Sequence, residues 1–160
     1  MASVLKKIIP KGFELIERDG NFNQMVAPLY WNKEVEPMEL LFFPEPKHEN
    51  IGGSIHGGIL MTAADHLMGL RILYSPAAPE RFVTIQMNCF FLNRAISEEW
   101  IYVKPKIINW TQSLIFMEST FYQKKEAIFK AEGIWKIMPH SKKSIAQMYI
   151  SKIKKENSKS

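Results

Sequence analysis

The pattern of apolar and polar positions changes its period along the chain. Residues 39–43 form a short apolar stretch between prolines, which predicts a β-strand. From residue 57 to residue 73 apolar side chains recur on every side of a helical turn, which is typical of a buried helix. Beyond Pro79 the sequence becomes β-branched and aromatic. Four further strands are predicted there, at residues 81–93, 99–109, 113–123 and 127–138.

The last of these segments has a clear two-residue period. Phe129, Ala131 and Trp135 fall on one face, whereas Lys130 and Glu132 fall on the other. This alternation indicates a sheet with one covered face and one wetter face. The pattern therefore predicts an α+β domain, in which one long central helix packs on an antiparallel sheet of five to six strands.

The chain length of 160 residues suits one domain, which we place at residues 1–140. A short helix is predicted at residues 3–9, where Pro10 would stop it. The segment 141–160 contains six lysines and one glutamate, and it is predicted to be a partly helical or disordered tail.

The charge of the chain does not favour a nucleic-acid partner. The formal net charge is +5, but all of this excess lies in the tail at 141–160, and the body is neutral. We see no signal peptide and no apolar run long enough to span a bilayer, so membrane insertion is not expected. The single cysteine, Cys89, permits no intrachain disulfide and fits a reducing, cytoplasmic location.

One stripe of the helix is small and polar instead of apolar. Its members recur at intervals of three and four residues: Gly58, Thr62, Asp65, His66 and Gly69. A carboxylate in a buried helix needs a partner, because burying an unpaired charge is costly. Asp65 could therefore belong to a site, or it could simply form a hydrogen bond to a neighbouring loop.

The beginning of the same helix offers a second functional group. The free backbone N–H groups near Gly57 and Gly58 form a natural site for an oxyanion. Asp65 lies eight residues further on, roughly 12 Å along the axis, so one helix cannot bring both to one reacting carbon. Two antiparallel copies of the helix could do so, which predicts a symmetric dimer with shared sites.

Four segments in this order resemble those of hot-dog fold thioesterases of the phenylacetic-acid-degradation (PaaI-like) type. They are APLYW at 27–31, HENIGGSIHGGILMTAADHLMG at 48–69, VTIQMNCFFLNRA at 83–95 and AIFKAEGIWKIMP at 127–139. The resemblance implies a long helix wrapped by an antiparallel sheet, and homodimers that often pair into homotetramers. It also implies hydrolysis of acyl-CoA thioesters, with coenzyme A as part of the substrate and with no cofactor or metal.

The resemblance also assigns roles to residues of this chain. Asp65 corresponds to the catalytic carboxylate, acting as general base or as nucleophile. Gly57 corresponds to the residue whose backbone N–H polarises the thioester carbonyl. Asn50 and His56 correspond to loop residues that hold the carbonyl and the attacking water, and Thr84 corresponds to a hydroxyl that assists from the partner strand.

Further residues are predicted to contact the substrate: Gly58, Met61, Thr62, His66, Met68, Phe91 and Arg94. Arg94 stands in FLNRA where the family often has FLRPA, so it could bind a phosphate of coenzyme A or be an ordinary exposed arginine. His66 is expected to point about 100° away from Asp65 around the helix.

Two other functions compete with the hydrolase. A non-catalytic hot-dog module that binds acyl-CoA or another acyl ligand would carry a similar stripe. A hot-dog dehydratase or hydratase would use a histidine and a carboxylate at a different spacing. The combination of Asn50, His56, Gly57, Asp65 and Thr84 favours the hydrolase, because a binding module needs no base.

Overall fold

A computed structural model describes residues 8–16, 22, 28–32, 34–35 and 38–139. These residues include seven strands, one long α-helix and one short 3-10 helix at Pro46–His48. The long helix, α1, spans Gly57–Leu73 as the apolar pattern predicts. The strands are β1 (Glu14–Leu15), β2 (Leu29–Asn32), β3 (Glu39–Phe42), β4 (Phe82–Phe91), β5 (Ile101–Trp110), β6 (Leu114–Gln123) and β7 (Glu126–Ile137).

The strands form one antiparallel sheet in the order β1-β2-β3-β5-β6-β7-β4. This confirms the predicted α+β fold class, with one or two strands more than expected. The additional strands, β1 and β2, lie in a mixed stretch without a two-residue period. They become strands because they pair with neighbouring strands, and this pairing cannot be predicted from the local alternation of apolar and polar residues.

Helix α1 packs its apolar side against the sheet. The buried positions are Leu60, Ala63, Ala64, Leu67, Met68, Leu70 and Ile72. Burying a leucine side chain completely contributes about 1.5–3 kcal/mol, so this contact holds the helix in place. The opposite side, which carries Met61 and Asp65, remains exposed. The prediction of a helix buried on all sides is therefore wrong for the single chain.

Strand β4 forms one edge of the sheet and contains a bulge. Thr84 pairs with Trp135 and Gln86 pairs with Ile134, so Ile85 is an additional residue in β4. A bulge of this kind shifts the alternation of side chains by one position. Thr84 before the bulge and Phe91 after it therefore both face α1, although they differ by an odd number of residues.

The other strands agree with the predicted pattern. In β7 the buried and partly exposed residues alternate from Phe129 to Trp135, as expected. Pro105 lies in β5 beyond the part that pairs with β3, so its missing N–H costs no ladder bond on that side. Residues 3–7 of the predicted N-terminal helix and the tail at 141–160 lie outside the described residues, whereas Ile8 and Ile9 are in no helix.

Candidate functional site

Asp65 and Thr84 form the first half of the candidate site. The Thr84 hydroxyl donates a hydrogen bond to Asp65 Oδ1 over 2.7 Å. Asp65 sits on the side of α1 that faces away from the core, and Thr84 reaches it from β4 of the same chain. Asp65 is exposed in the single chain, so our expectation of a buried carboxylate is wrong for the isolated subunit.

The backbone at the beginning of α1 forms the second half. His56 caps the helix, because its Nδ1 accepts a hydrogen bond from the Gly58 N–H over 3.0 Å. The His56 carbonyl accepts from the Ile59 N–H. The N–H groups of Gly58 and Ile59 thus both donate to His56. The Gly57 N–H has no hydrogen-bond partner among the described residues. One N–H is thus left at the helix end where an oxyanion would be favoured.

The loop before α1 is held by its own side chains. Asn50 Oδ1 accepts from the Gly52 N–H, and Asn50 Nδ2 donates to the Ser54 hydroxyl. Gly53 has a φ of +69°, a left-handed conformation that favours glycine. The Asn50 carboxamide therefore holds the loop in this chain, in addition to any contact with a carbonyl.

Arg94 also holds this loop. One of its terminal nitrogens donates to the carbonyls of Gly52 and Gly53, over 3.2 and 2.8 Å. The next residue, Ala95, accepts a hydrogen bond from the Ile55 N–H. Because a guanidinium has five N–H donors, these contacts leave donors for another acceptor. The structure thus shows a role in the loop that the sequence did not predict.

Phe91 covers the backbone at Gly57. A Cβ added to Gly57 would lie 2.7 Å from one ring carbon of Phe91 and 3.0 Å from another. The ring packs edge-to-face on Phe129, with centroids 5.1 Å apart, and yet Phe91 remains 57% exposed. Only glycine at position 57 permits this approach, which places an apolar surface beside the free N–H.

The remaining predicted residues fall into three groups. Gly58 and Thr62 line a groove of about 650 Å³ beside the beginning of α1, together with His56. His66 lines a second groove of about 380 Å³, together with Asp65 and Thr84. Neither methionine lines either groove: Met61 is exposed on α1, whereas Met68 lies in the core without exposed surface.

The second groove includes residues that the sequence did not single out as substrate contacts. Phe82 and Trp135 line it from the sheet, and Leu70 and Leu73 line it from α1. The inward position of Trp135 in β7 follows from the alternation, but its place in the groove does not. Its proximity to Asp65 depends on the register between β4 and β7, which the bulge at Ile85 sets.

Two possible features are not found in the part of the chain that the structure describes. No group of three or more His, Cys, Asp or Glu side chains is arranged there to hold a metal ion. No helix within the described ranges is long and apolar enough to cross a bilayer.

A family model described as "Thioesterase superfamily" matches residues 52–129, which include the second part of the loop, α1, β4 to β6 and the beginning of β7. Over these residues, just under half of its length, the chain matches the thioesterase superfamily. The resemblance inferred from the four sequence segments is thereby confirmed.

Individual relatives of this chain are distant in sequence. A Pseudomonas aeruginosa protein named "Putative esterase PA0474" is 23% identical over 128 residues, which cover 79% of this chain and 96% of that protein. Thioesterase superfamily member 2 from Mus musculus has a TM-score of 0.65 at 18% identity, over 73% of this chain and 87% of that one. A hypothetical thioesterase from Streptococcus pneumoniae, crystallised with coenzyme A, has a TM-score of 0.60 at 17% identity, over 80% and 87%. At such identities the structural likeness establishes the hot-dog fold.

Proposed function

We propose that this chain hydrolyses acyl-CoA thioesters at a site shared between two copies. The observation that carries the proposal is the pairing of Asp65 with Thr84, together with a Gly57 N–H that has no partner among the described residues. A base and an oxyanion donor are the two groups that hydrolysis of a thioester needs. The superfamily match and the relative crystallised with coenzyme A support this substrate class.

The two groups are about 12 Å apart along α1, so they must come from different subunits. Strand β4 is an exposed sheet edge and carries exposed apolar side chains, including Val83, Ile85 and Phe90. A long apolar edge of this kind is suited to pairing with another strand. We place the partner's β4 here, antiparallel to the first, so that Asp65 lies near the partner's Gly57.

The positions of the site residues are consistent with this symmetry. Met61 lies midway between Gly57 and Asp65 in α1, and residues 87 and 88 lie midway between Thr84 and Phe91 in β4. A single two-fold axis could therefore pass both midpoints. It would bring Asp65 close to the partner's Gly57 and Thr84 close to the partner's Phe91. Met61 is 41% exposed, as a residue covered only by the partner would be.

The reaction then proceeds from the thioester carbonyl. Thr84 holds one oxygen of the Asp65 carboxylate, and the other oxygen takes a proton from water as this water attacks the carbonyl carbon. The partner's Gly57 N–H stabilises the oxyanion that forms. Collapse of this intermediate breaks the C–S bond and releases the thiolate. An oxyanion donor is typically worth ~10²–10³ in rate, and a positioned base adds ~10²–10⁴.

The test is release of free thiol from acetyl-, hexanoyl-, decanoyl-, palmitoyl- and benzoyl-CoA. Asp65→Asn removes the base while keeping the size of the side chain, and we expect it to lower kcat at least ~10²-fold. Glu126→Gln is the matched control, because Glu126 is an exposed carboxylate in the β6–β7 hairpin. Asp65→Asn with the wild-type rate would exclude this carboxylate as the base. Saturable binding without thiol release by the wild-type protein would instead indicate a binding module.

A further inference from the structure

The groove beside Asp65 runs between the second half of α1 and the beginning of β4. It has a volume of about 380 Å³, within the range of small-molecule sites. Asp65 and Thr84 line one part, whereas Leu70, Leu73, Phe82 and Trp135 supply apolar walls. A ligand in this groove would therefore place its reactive, polar end at the carboxylate and its apolar part along the helix.

The groove at the beginning of α1 differs in its charged groups. Lys47 and Glu49 line it, together with the apolar side chains of Phe22 and Ile59. The Lys47 ammonium suits a phosphate of coenzyme A, whereas none of the described residues that line the groove beside Asp65 is a lysine or an arginine. This difference in charge indicates which part of an acyl-CoA each groove would take.

Gly69 lies in the wall of the apolar groove. A Cβ added to Gly69 would lie 3.8 Å from the nearest ring carbon of Phe82, an ordinary contact. The fold thus has room for a side chain at this position, and a glycine inside a helix costs roughly 1 kcal/mol relative to alanine. The absence of a side chain here keeps open the space between α1 and β4.

Trp135 sets the floor of the groove. It is 1% exposed, and a Cβ added to Gly133 would come within 2.8 Å of two of its ring carbons. The indole is therefore packed in place and cannot withdraw to make the groove deeper. The open direction runs along α1 from Asp65 towards Leu73, which is 48% exposed and lies about 12 Å away by helix geometry.

We propose that this groove binds the acyl group, and that Gly69 is the residue that determines its specificity. The inference rests on the proposed thioesterase function and adds the substrate class, which is unbranched apolar acyl groups of medium length. Such a chain extends from the carbonyl beside Asp65 along Gly69 to Leu73. A long chain projects beyond Leu73 into solvent, and a charged or bulky branched chain meets Trp135 and Phe82.

The test compares kcat/KM for decanoyl-CoA with kcat/KM for acetyl-CoA. Gly69→Leu fills the groove, and we expect the ratio to fall roughly tenfold or more, since each methylene in an apolar pocket carries a large factor. Gly69→Ala, for which the fold has room, should change the ratio in the same direction by less. Leu73→Ala removes the end of the groove, and Ile108→Ala is its control, because Ile108 is similarly exposed on β5.

Binding of S-decyl-CoA, a thioether that cannot be hydrolysed, separates this inference from the proposed function. If the protein hydrolyses thioesters and Gly69→Leu leaves the decanoyl-to-acetyl ratio of kcat/KM unchanged, the assignment of the groove is wrong and the hydrolase function stands. If the wild-type protein hydrolyses no thioester but Gly69→Leu binds S-decyl-CoA tenfold more weakly, the hydrolase function is wrong and the assignment of the groove stands. Melting curves of each variant show that the fold is intact.

Discussion

At the scale of single residues, the proposed role of Gly57 requires an accessible backbone N–H at a position that has no space for a side chain. Only substitution by proline would remove its N–H, whereas any added side chain changes the access to it. We expect Gly57→Ala to lower kcat at least ~10²-fold, because the new Cβ stands beside the donor and within 2.7 Å of the Phe91 ring. The measurement is thiol release from the best acyl-CoA.

The melting temperature serves as the control for this variant. Phe91 is 57% exposed, so its ring can move away from a new Cβ, and we expect the fold to keep its stability. Full activity in Gly57→Ala would show that this N–H is not the oxyanion donor. Loss of both activity and stability would point to the packing of Phe91 on Phe129 as the cause.

Cys89 lies on the inward face of β4, and partial burial raises the pKa of its thiol. At pH 7–8 a raised pKa means less thiolate, which is the form that reacts with thiol reagents. We expect a thiol-reactive dye to label Cys89 slowly in the native protein and rapidly in denaturant. Equal rates in both states, followed by absorbance, would contradict this, and Cys89→Ser provides the blank.

At the scale of elements, the contact between β7 and β4 leaves no room for a side chain at Gly133. A Cβ there would lie 2.7 Å from the Trp135 ring and 3.1 Å from the backbone oxygen of Gln86. We expect Gly133→Ala to lower the free energy of unfolding by about 1–3 kcal/mol, measured in urea, since neither neighbour can yield easily. Lys136→Ala, at an exposed position of the same strand, should change it by less than ~0.5 kcal/mol. Equal stability of the two variants would mean that β4 shifts freely.

The elements also show how far the sequence could predict the fold. The bounds of α1 followed from its apolar run and from the pair of glycines that opens it. Strands β4 to β7 followed from their period and composition. Strands β1 and β2 did not, because their order comes from pairing at long range. The bulge at Ile85 was equally hidden, since a bulge depends on the register against β7 and not on the local pattern.

The candidate site divides in the same way. Asp65 and the glycines could be found from the pattern of the chain because they lie in one helix, whereas His56 was assigned from the family resemblance. Arg94 and Phe91 were named, but their contacts with Gly52 and Gly57 could not be derived, because strand β4 first has to return alongside α1. Trp135 was missed as a groove residue for this reason too, and it was interpreted only as a core residue.

At the scale of the whole molecule, the proposed site exists only in an assembly. The exposed side of α1 and the apolar edge of β4 meet at Asp65 and Thr84, so one partner could cover both. If two copies pair as proposed, the two Met61 side chains lie close to the symmetry axis. We expect Met61→Cys, in a Cys89→Ser background, to form a disulfide-linked dimer under mild oxidation.

The control for this cross-link is Ile108→Cys in the same background, because Ile108 is exposed on β5, away from β4. Non-reducing electrophoresis should show a dimer band at low protein concentration for Met61→Cys and far less for Ile108→Cys. A second variant, Ile85→Lys, puts a charge on the edge of β4 and should yield monomers by light scattering. If the monomers kept full turnover, one chain would hold a complete site, and the assignment of the base and the oxyanion donor to different subunits would be wrong.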